Sequence, residues 1–169
     1  MERRTLWRGR FLEMAAIGSW EFVHRIRGRM AVGIIAVTPE GKMLLISQYR
    51  IPVGKRIIEI PAGLVGDGDD EETWQLAADR ELREETGWRA AKFEKLTEGP
   101  TSAGLTSECI TLVRAMGLVK EGRQELDGDE DIEVHEVKVE EVVGWLRERE
   151  AAGMMVDPKV WAGLYFVTK

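Results

Sequence analysis

Glu81, Glu84 and Glu85 sit at positions i, i+3 and i+4 within Arg80-Glu81-Leu82-Arg83-Glu84-Glu85-Thr86-Gly87-Trp88. On a helix this spacing puts all three carboxylates on one face, where like charges repel unless cations stand among them. Carboxylate oxygens are hard ligands, and the ions that suit them are Mg²⁺ and Mn²⁺. A solvated acidic face is the plain reading of a lone glutamate pair. Here the surrounding pattern argues for a site: Gly66, five residues, Glu72, seven residues, then the segment from Arg80.

Such a cluster needs a helix with a defined start and stop. Asp69 or Asp70 is the expected N-cap, and Gly87 suits the position just past the last turn. The chain before it reads as β-rich, with strands expected over 6–12, 20–25 and 31–37. Thr38-Pro39-Glu40-Gly41 has turn chemistry, so 31–37 and 42–49 are expected to form a hairpin. Further strands are expected over 57–60, 92–97, 108–113 and 132–137, with an acidic loop at 127–131. Two helices close the chain, one over 139–150 and one capped by Asp157 with Pro158 in its first turn. This order supports an α+β fold, a mixed sheet flanked by helices.

The 169 residues fit one domain spanning 1–169. A formal charge of −6 argues against nucleic acid as a partner, because phosphate backbones are held by excess Lys and Arg. Cys109 is the single cysteine, which excludes disulfides within the chain and suits a reducing, cytoplasmic setting; it reads as a small buried hydrophobe. No apolar run is long enough to cross a bilayer, and no signal peptide or membrane association is expected. His24 and His135 are too isolated in the sequence to form a metal pair.

The fixed positions from Gly66 to Trp88 match the signature of the Nudix hydrolases. Glu59-Ile60-Pro61-Ala62-Gly63-Leu64, Gln48-Tyr49-Arg50 and Asp131-Ile132-Glu133-Val134 are similar to the ADP-ribose pyrophosphatase branch of that family, so the resemblance covers roughly Trp20 to the C-terminus. It implies a Nudix-type α/β/α sandwich with a mixed central sheet, here a core of about 29–169 preceded by an N-terminal β region of about 1–28. The implied activity is metal-dependent hydrolysis of the diphosphate linkage of ADP-ribose or a related nucleoside diphosphate sugar. The products would be a nucleoside monophosphate and a sugar phosphate.

The resemblance also implies residue roles. The carbonyl of Ala62 joins Glu81 and Glu85 as ligands of Mg²⁺ or Mn²⁺, with Glu84 a catalytic residue beside them. Spacing selects Gly66 as the glycine of the motif, whereas the Pro-Ala-Gly context selects Gly63, the structurally favoured choice. Arg80 pairs with Glu72, a structural role shared with Gly63 and Gly87. The general base comes from Asp127, Asp129, Glu130 or Asp131; Gly128 stands where relatives carry an acid, and Glu130 is the chosen candidate. Glu108, after Ser102-Ala103-Gly104, approaches the metal site or is a strand-edge residue. The loop lacks the proline of its ADP-ribose relatives, which keeps other nucleoside diphosphate sugars in play. Trp20 resembles an aromatic platform for the base with Trp7 as the opposing ring, against the alternative that both are packing residues. Arg50 meets the diphosphate or pairs within the sheet. Similar proteins exchange N-terminal strands, which implies a homodimer. A hydrolase of damaged nucleoside triphosphates and a nucleotide-sensing module that does not cut are the alternative functions; the second would be expected to lose box carboxylates.

Overall fold

The computed structural model describes residues 1–169 except 29, 67–70, 127, 129 and 130. Three antiparallel strands come first, β1 (Arg3–Arg8), β2 (Leu12–Ile17) and β3 (Trp20–Arg25), in the order β1-β2-β3. The strand expected over 6–12 is thus two strands. The chain reverses where the Gly9 N–H donates to the Leu12 carbonyl at 2.8 Å, a turn without the Asn-Gly or Pro-Gly signal that marks such reversals in sequence.

The hairpin is only partly as expected. Strands β4 (Met30–Ala36) and β5 (Lys42–Arg50) are joined by a turn in which Thr38 N–H donates to the Lys42 carbonyl at 2.8 Å and Gly41, at φ +76°, donates to the Thr38 carbonyl at 2.9 Å. Beyond the single Val37–Met43 bridge the strands part into different sheets. With β6 (Lys55–Glu59), β7 (Ala62–Val65), β8 (Trp88–Arg89), β9 (Lys92–Pro100), β10 (Cys109–Met116), β11 (Val119–Lys120), β12 (Ile132–Lys138) and β13 (Met155–Val156), the sheet orders are β7-β4-β10-β9 and β12-β5-β6-β13, plus a small β11-β8 pair. Each large sheet is mixed, because β4 runs parallel to β10 and β6 parallel to β13. The expected mixed β layer is present and consists of two four-stranded sheets that diverge from a shared turn.

Alternation along the strands feeds two cores. Ile34 and Ala36 of β4 and Leu44 of β5 pack with Ala77, Ala78 and Leu82 of helix α1 (Trp74–Thr86). Their neighbours Ile35, Met43 and Leu45 pack the opposite way, against Val142 and Leu146 of α2 (Val142–Ala151) and Val160 and Leu164 of α3 (Pro158–Thr168). Helices thus cover both faces of the strands, a helix–sheet–helix layering.

Helix α1 begins later than expected. Its N-cap is Thr73, whose hydroxyl accepts from the Leu76 N–H at 3.4 Å, while Asp69 and Asp70 lie outside the described residues. Its end is as expected: Gly87 adopts φ +70° and donates to the Arg83 carbonyl at 2.8 Å, and a Cβ there would stand 2.5 Å from the Gly122 carbonyl. Asp157 caps α3 through the Lys159 N–H at 2.7 Å with Pro158 opening the helix. The helix expected over 139–150 starts as a 3₁₀ turn, Val139–Glu141, before α2. Among the described residues no helix is long and apolar enough to cross a membrane.

Candidate active site

Strand β7 antiparallel to β4 brings Ala62 and Gly63 against the acidic face of α1. The Ala62 N–H donates to Glu85 Oε2 at 3.0 Å, and Glu85 is buried. A Cβ on Gly63 would lie 1.8 Å from Glu81 Oε1, so only glycine leaves room for that carboxylate against the strand. The two candidate glycines have separate tasks. Gly63 makes the space for Glu81, and Gly66, at φ +80°, turns the chain and donates its N–H to Glu72 Oε2 at 2.9 Å.

Arg80 ties this corner together. Its Nε donates to Glu72 Oε1 at 3.0 Å, Nη1 to Glu81 Oε1 at 2.7 Å and to Glu84 Oε2 at 3.1 Å, and Nη2 to the Leu64 carbonyl at 3.1 Å. The hydrogen bond from Arg80 holds the Glu72 carboxyl below its usual range against the opposing effect of burial. The same bond to Glu72 raises the Arg80 pKa, keeping the guanidinium charged.

Beyond the carboxylates opens a cleft of about 380 Å³. It lies where β4 and β5 have diverged, between Ala31 and Ile110 on one side and Gln48 and Arg50 on the other, with Glu81 and Glu85 in its wall. Arg50 also lines it, gripping Glu59 through Nε at 2.9 Å and Nη2 at 3.2 Å. Arg25 and Glu108 enter from elsewhere in the fold and meet at 2.5 Å, with the Thr101 hydroxyl 3.3 Å from Glu108 Oε2. Lys159, from the first turn of α3, completes the cationic side, its ammonium 2.5 Å from Asp157.

The structure therefore gathers Ala62, Gly63, Glu81, Glu85, Arg50 and Glu108 around one cavity. Glu84 faces Arg80 and does not line the cleft. Asp127, Asp129 and the chosen Glu130 lie outside the described residues. Asp131, the remaining candidate of that loop, is ion-paired to Arg56. Trp7 and Trp20 are 60% and 68% exposed. Trp7 registers through Met14 with Val23, three residues along β3 from Trp20, so one chain does not set the two rings face to face. Sequence reasoning missed Lys159, whose place depends on how α3 docks, and Arg25, whose pairing with Glu108 joins segments far apart in the chain.

The donors suit a hard divalent cation. Glu81 and Glu85 are one helical turn apart, both carboxylates touch the Ala62–Gly63 backbone, and all their donors are oxygen. Among the described residues no three carboxylate, imidazole or thiol side chains converge as a metal cluster, and Arg80 pairs with Glu81 and Glu84.

An α+β layered fold thus sets an acidic helix face and a cationic wall across one cleft. The chain belongs to the NUDIX domain family, which matches residues 27–157. It is 42% identical over 121 residues to the ADP-ribose pyrophosphatase of Bacillus subtilis, a match covering 71% of this chain and 64% of the relative. It is 39% identical over 125 residues to the methanol dehydrogenase activator of Bacillus methanolicus, covering 73% and 66%. The matches thus span just under two thirds of these relatives' own length. A crystal structure of an ADP compounds hydrolase superposes with a TM-score of 0.67 at 19% identity, covering 85% of this chain and 81% of that one, which establishes the shared fold.

Proposed function

We propose that this chain hydrolyses the diphosphate linkage of ADP-ribose or a related nucleoside diphosphate sugar, releasing a nucleoside monophosphate and a sugar phosphate. The observation that carries this reading is the meeting in one cleft of Glu81, Glu85 and the Ala62–Gly63 backbone with Arg25, Arg50 and Lys159. Carboxylates alone would repel a diphosphate and guanidinium groups alone would only bind it; facing each other, they suit both binding and metal-assisted attack. Glu81, Glu85 and the carbonyl of Ala62 would hold Mg²⁺ or Mn²⁺, which when bound neutralises phosphate oxygens and lowers the pKa of water.

The chain's own residues divide the remaining work. Arg50, aimed by its two-pronged grip on Glu59, offers its outer edge to the diphosphate. Glu108, held by Arg25 and Thr101, faces the same space and can accept a proton there. Glu84 supports the metal ligands by sharing Arg80 with Glu81. Glu130 is assigned as general base for the attacking water, and Glu130→Gln should cut kcat sharply with KM little changed; an unchanged kcat would remove it from the mechanism. Trp20 stacks on the base, and Trp7 of a second copy supplies the opposing ring in a homodimer with exchanged N-terminal strands. The 1–169 unit functions as one domain in a cytoplasmic, reducing setting, consistent with its single cysteine.

The test is phosphate release, after phosphatase coupling, from ADP-ribose, ADP-glucose, GDP-mannose, UDP-glucose, NADH and dGTP with Mg²⁺ or Mn²⁺. Hydrolysis of a diphosphate sugar that vanishes in Glu85→Gln is the expected result. Turnover of dGTP alone would transfer the assignment to nucleoside triphosphates. Silence across the panel with both metals would overturn the catalytic reading.

A further inference from the structure

A second cavity, of about 680 Å³, adjoins the first and shares Arg25 and Leu64 with its wall. Arg8, Arg10, Arg25 and Arg27 line it, and among the described residues no carboxylate does, in a chain whose formal charge is −6. The turn after β1 and the end of β3 are tied together by the Ile26 N–H donating to the Phe11 carbonyl at 3.0 Å, which brings the arginines of both segments to one place. Two of the four charges are answered inside the fold: Arg8 reaches Glu13 at 3.5 Å and Arg25 reaches Glu108 at 2.5 Å. Arg10 and Arg27 have no carboxylate within ion-pairing distance among the described residues. Arg10 lies 4.8 Å over the exposed Phe11 ring, which orients its guanidinium without neutralising it.

We infer that this cavity binds a phosphate monoester carried by the substrate in addition to the diphosphate, so that the preferred substrates are nucleoside diphosphate compounds phosphorylated on the nucleoside ribose. The inference rests on the hydrolytic reading of the neighbouring cleft. A diphosphate seated by Arg25 and Arg50 brings the adjoining ribose to the wall the two cavities share at Arg25 and Leu64, where a monoester on that ribose meets Arg10 and Arg27 while the base turns back along β3 toward Trp20. A dianionic monoester accepts charge-assisted hydrogen bonds from both. An uncharged hydroxyl would leave the two guanidinium groups unanswered.

The test has a binding arm and a turnover arm. In the binding arm, AMP, adenosine 2′,5′-bisphosphate, adenosine 3′,5′-bisphosphate and inorganic phosphate are titrated into the full chain without metal. One of the bisphosphates should bind about tenfold more tightly than AMP, a difference that shrinks as salt is raised. That advantage should be lost in Arg10→Ala/Arg27→Ala and partly kept in Arg10→Lys/Arg27→Lys, which retains charge but not the fork. In the turnover arm, the ratio of kcat/KM for 2′-phospho-ADP-ribose or its 3′ isomer to that for ADP-ribose should exceed one and fall toward one in the alanine variant. Equal affinity of AMP and both bisphosphates, or a selectivity unchanged by the alanine pair, overturns the inference. Inorganic phosphate binding as tightly as the bisphosphate also overturns it, because the cavity would then hold the anion without a substrate. Retained bisphosphate selectivity with no hydrolysis of either compound rejects the hydrolytic reading alone, and hydrolysis without selectivity rejects the cavity alone.

Discussion

At the scale of single residues, the site depends on a missing atom. Glu81 Oε1 occupies the place where a side chain at position 63 would begin, at 1.8 Å from an added Cβ. Gly63→Ala must therefore push the Glu81 carboxylate away from its helix-face partner Glu85 or move β7. Because displacing a catalytic group by about 1 Å can cost roughly a hundredfold in rate, kcat/KM should fall by about that factor. A Mg²⁺ titration of activity would show a weaker apparent metal affinity, and unaltered kinetics would mean that Glu81 does not need its place beside the strand. Gly66→Ala should behave differently. It strains a backbone at φ +80° and disturbs the bond to Glu72, so it should lower the melting temperature.

At the scale of elements, the Arg80–Glu72 clasp fastens the entry of α1 to the helix and to the Leu64 carbonyl of β7. Glu72→Gln leaves a partly buried guanidinium short of its main partner and should cost roughly 1–3 kcal/mol, read as a lower urea midpoint. The folded-state Glu72 carboxyl lies below its ordinary value of 4.5 through its bond to Arg80. Its contribution is thus complete above that value and is lost as pH falls through the lowered one. The variant's deficit should accordingly be largest near neutrality and shrink in acid; a deficit constant with pH would detach the clasp from Glu72 ionisation. Much at this scale was legible in the sequence. The helix end at Gly87, the Asp157–Pro158 start of α3 and strands β3, β4, β5, β10 and β12 all follow from capping chemistry and apolar runs. What was not legible has identifiable causes. Strand β2 follows a turn with no strong turn dipeptide, β7 hides inside a motif rich in glycine, and the two-residue strands β8, β11 and β13 exist only through their partners. Helix α1 starts after Thr73, whose hydroxyl meets the Leu76 N–H.

At the scale of the whole molecule, two cores on opposite sides of the splayed sheets make the layers interdependent. His135 of β12 sits between them and α2, half-buried, its Nε2 3.0 Å from the buried Ser47 hydroxyl and its ring 4.9 Å from Trp145. Burial pushes its pKa below the ordinary 6.5. The unfolded chain therefore takes up a proton first as pH falls below 6.5, and stability declines until the lowered folded value is reached. Chemical denaturation at stepped pH should show this decline, and His135→Gln should flatten it; a variant with the parent's slope would clear His135 of the effect. The acidic face of α1 was readable from spacing, since i, i+3 and i+4 need only one helix. The cationic wall was not, because Arg25, Arg50 and Lys159 come from three distant elements whose meeting is set by tertiary packing.

The turn that joins β4 to β5 is closed by the Val37–Met43 bridge and the hydrogen bonds of Thr38 and Gly41, and the cleft opens at the far ends of the strands it joins. Mechanically this is a pair of tongs with its pivot at Thr38–Gly41. The arm from Gly41 to Arg50 is roughly 30 Å at the usual rise per residue, so a rotation of about 2° at the pivot would shift its far end by roughly 1 Å. Geometrically, a small change of angle at the turn is magnified at a cleft that the turn never touches.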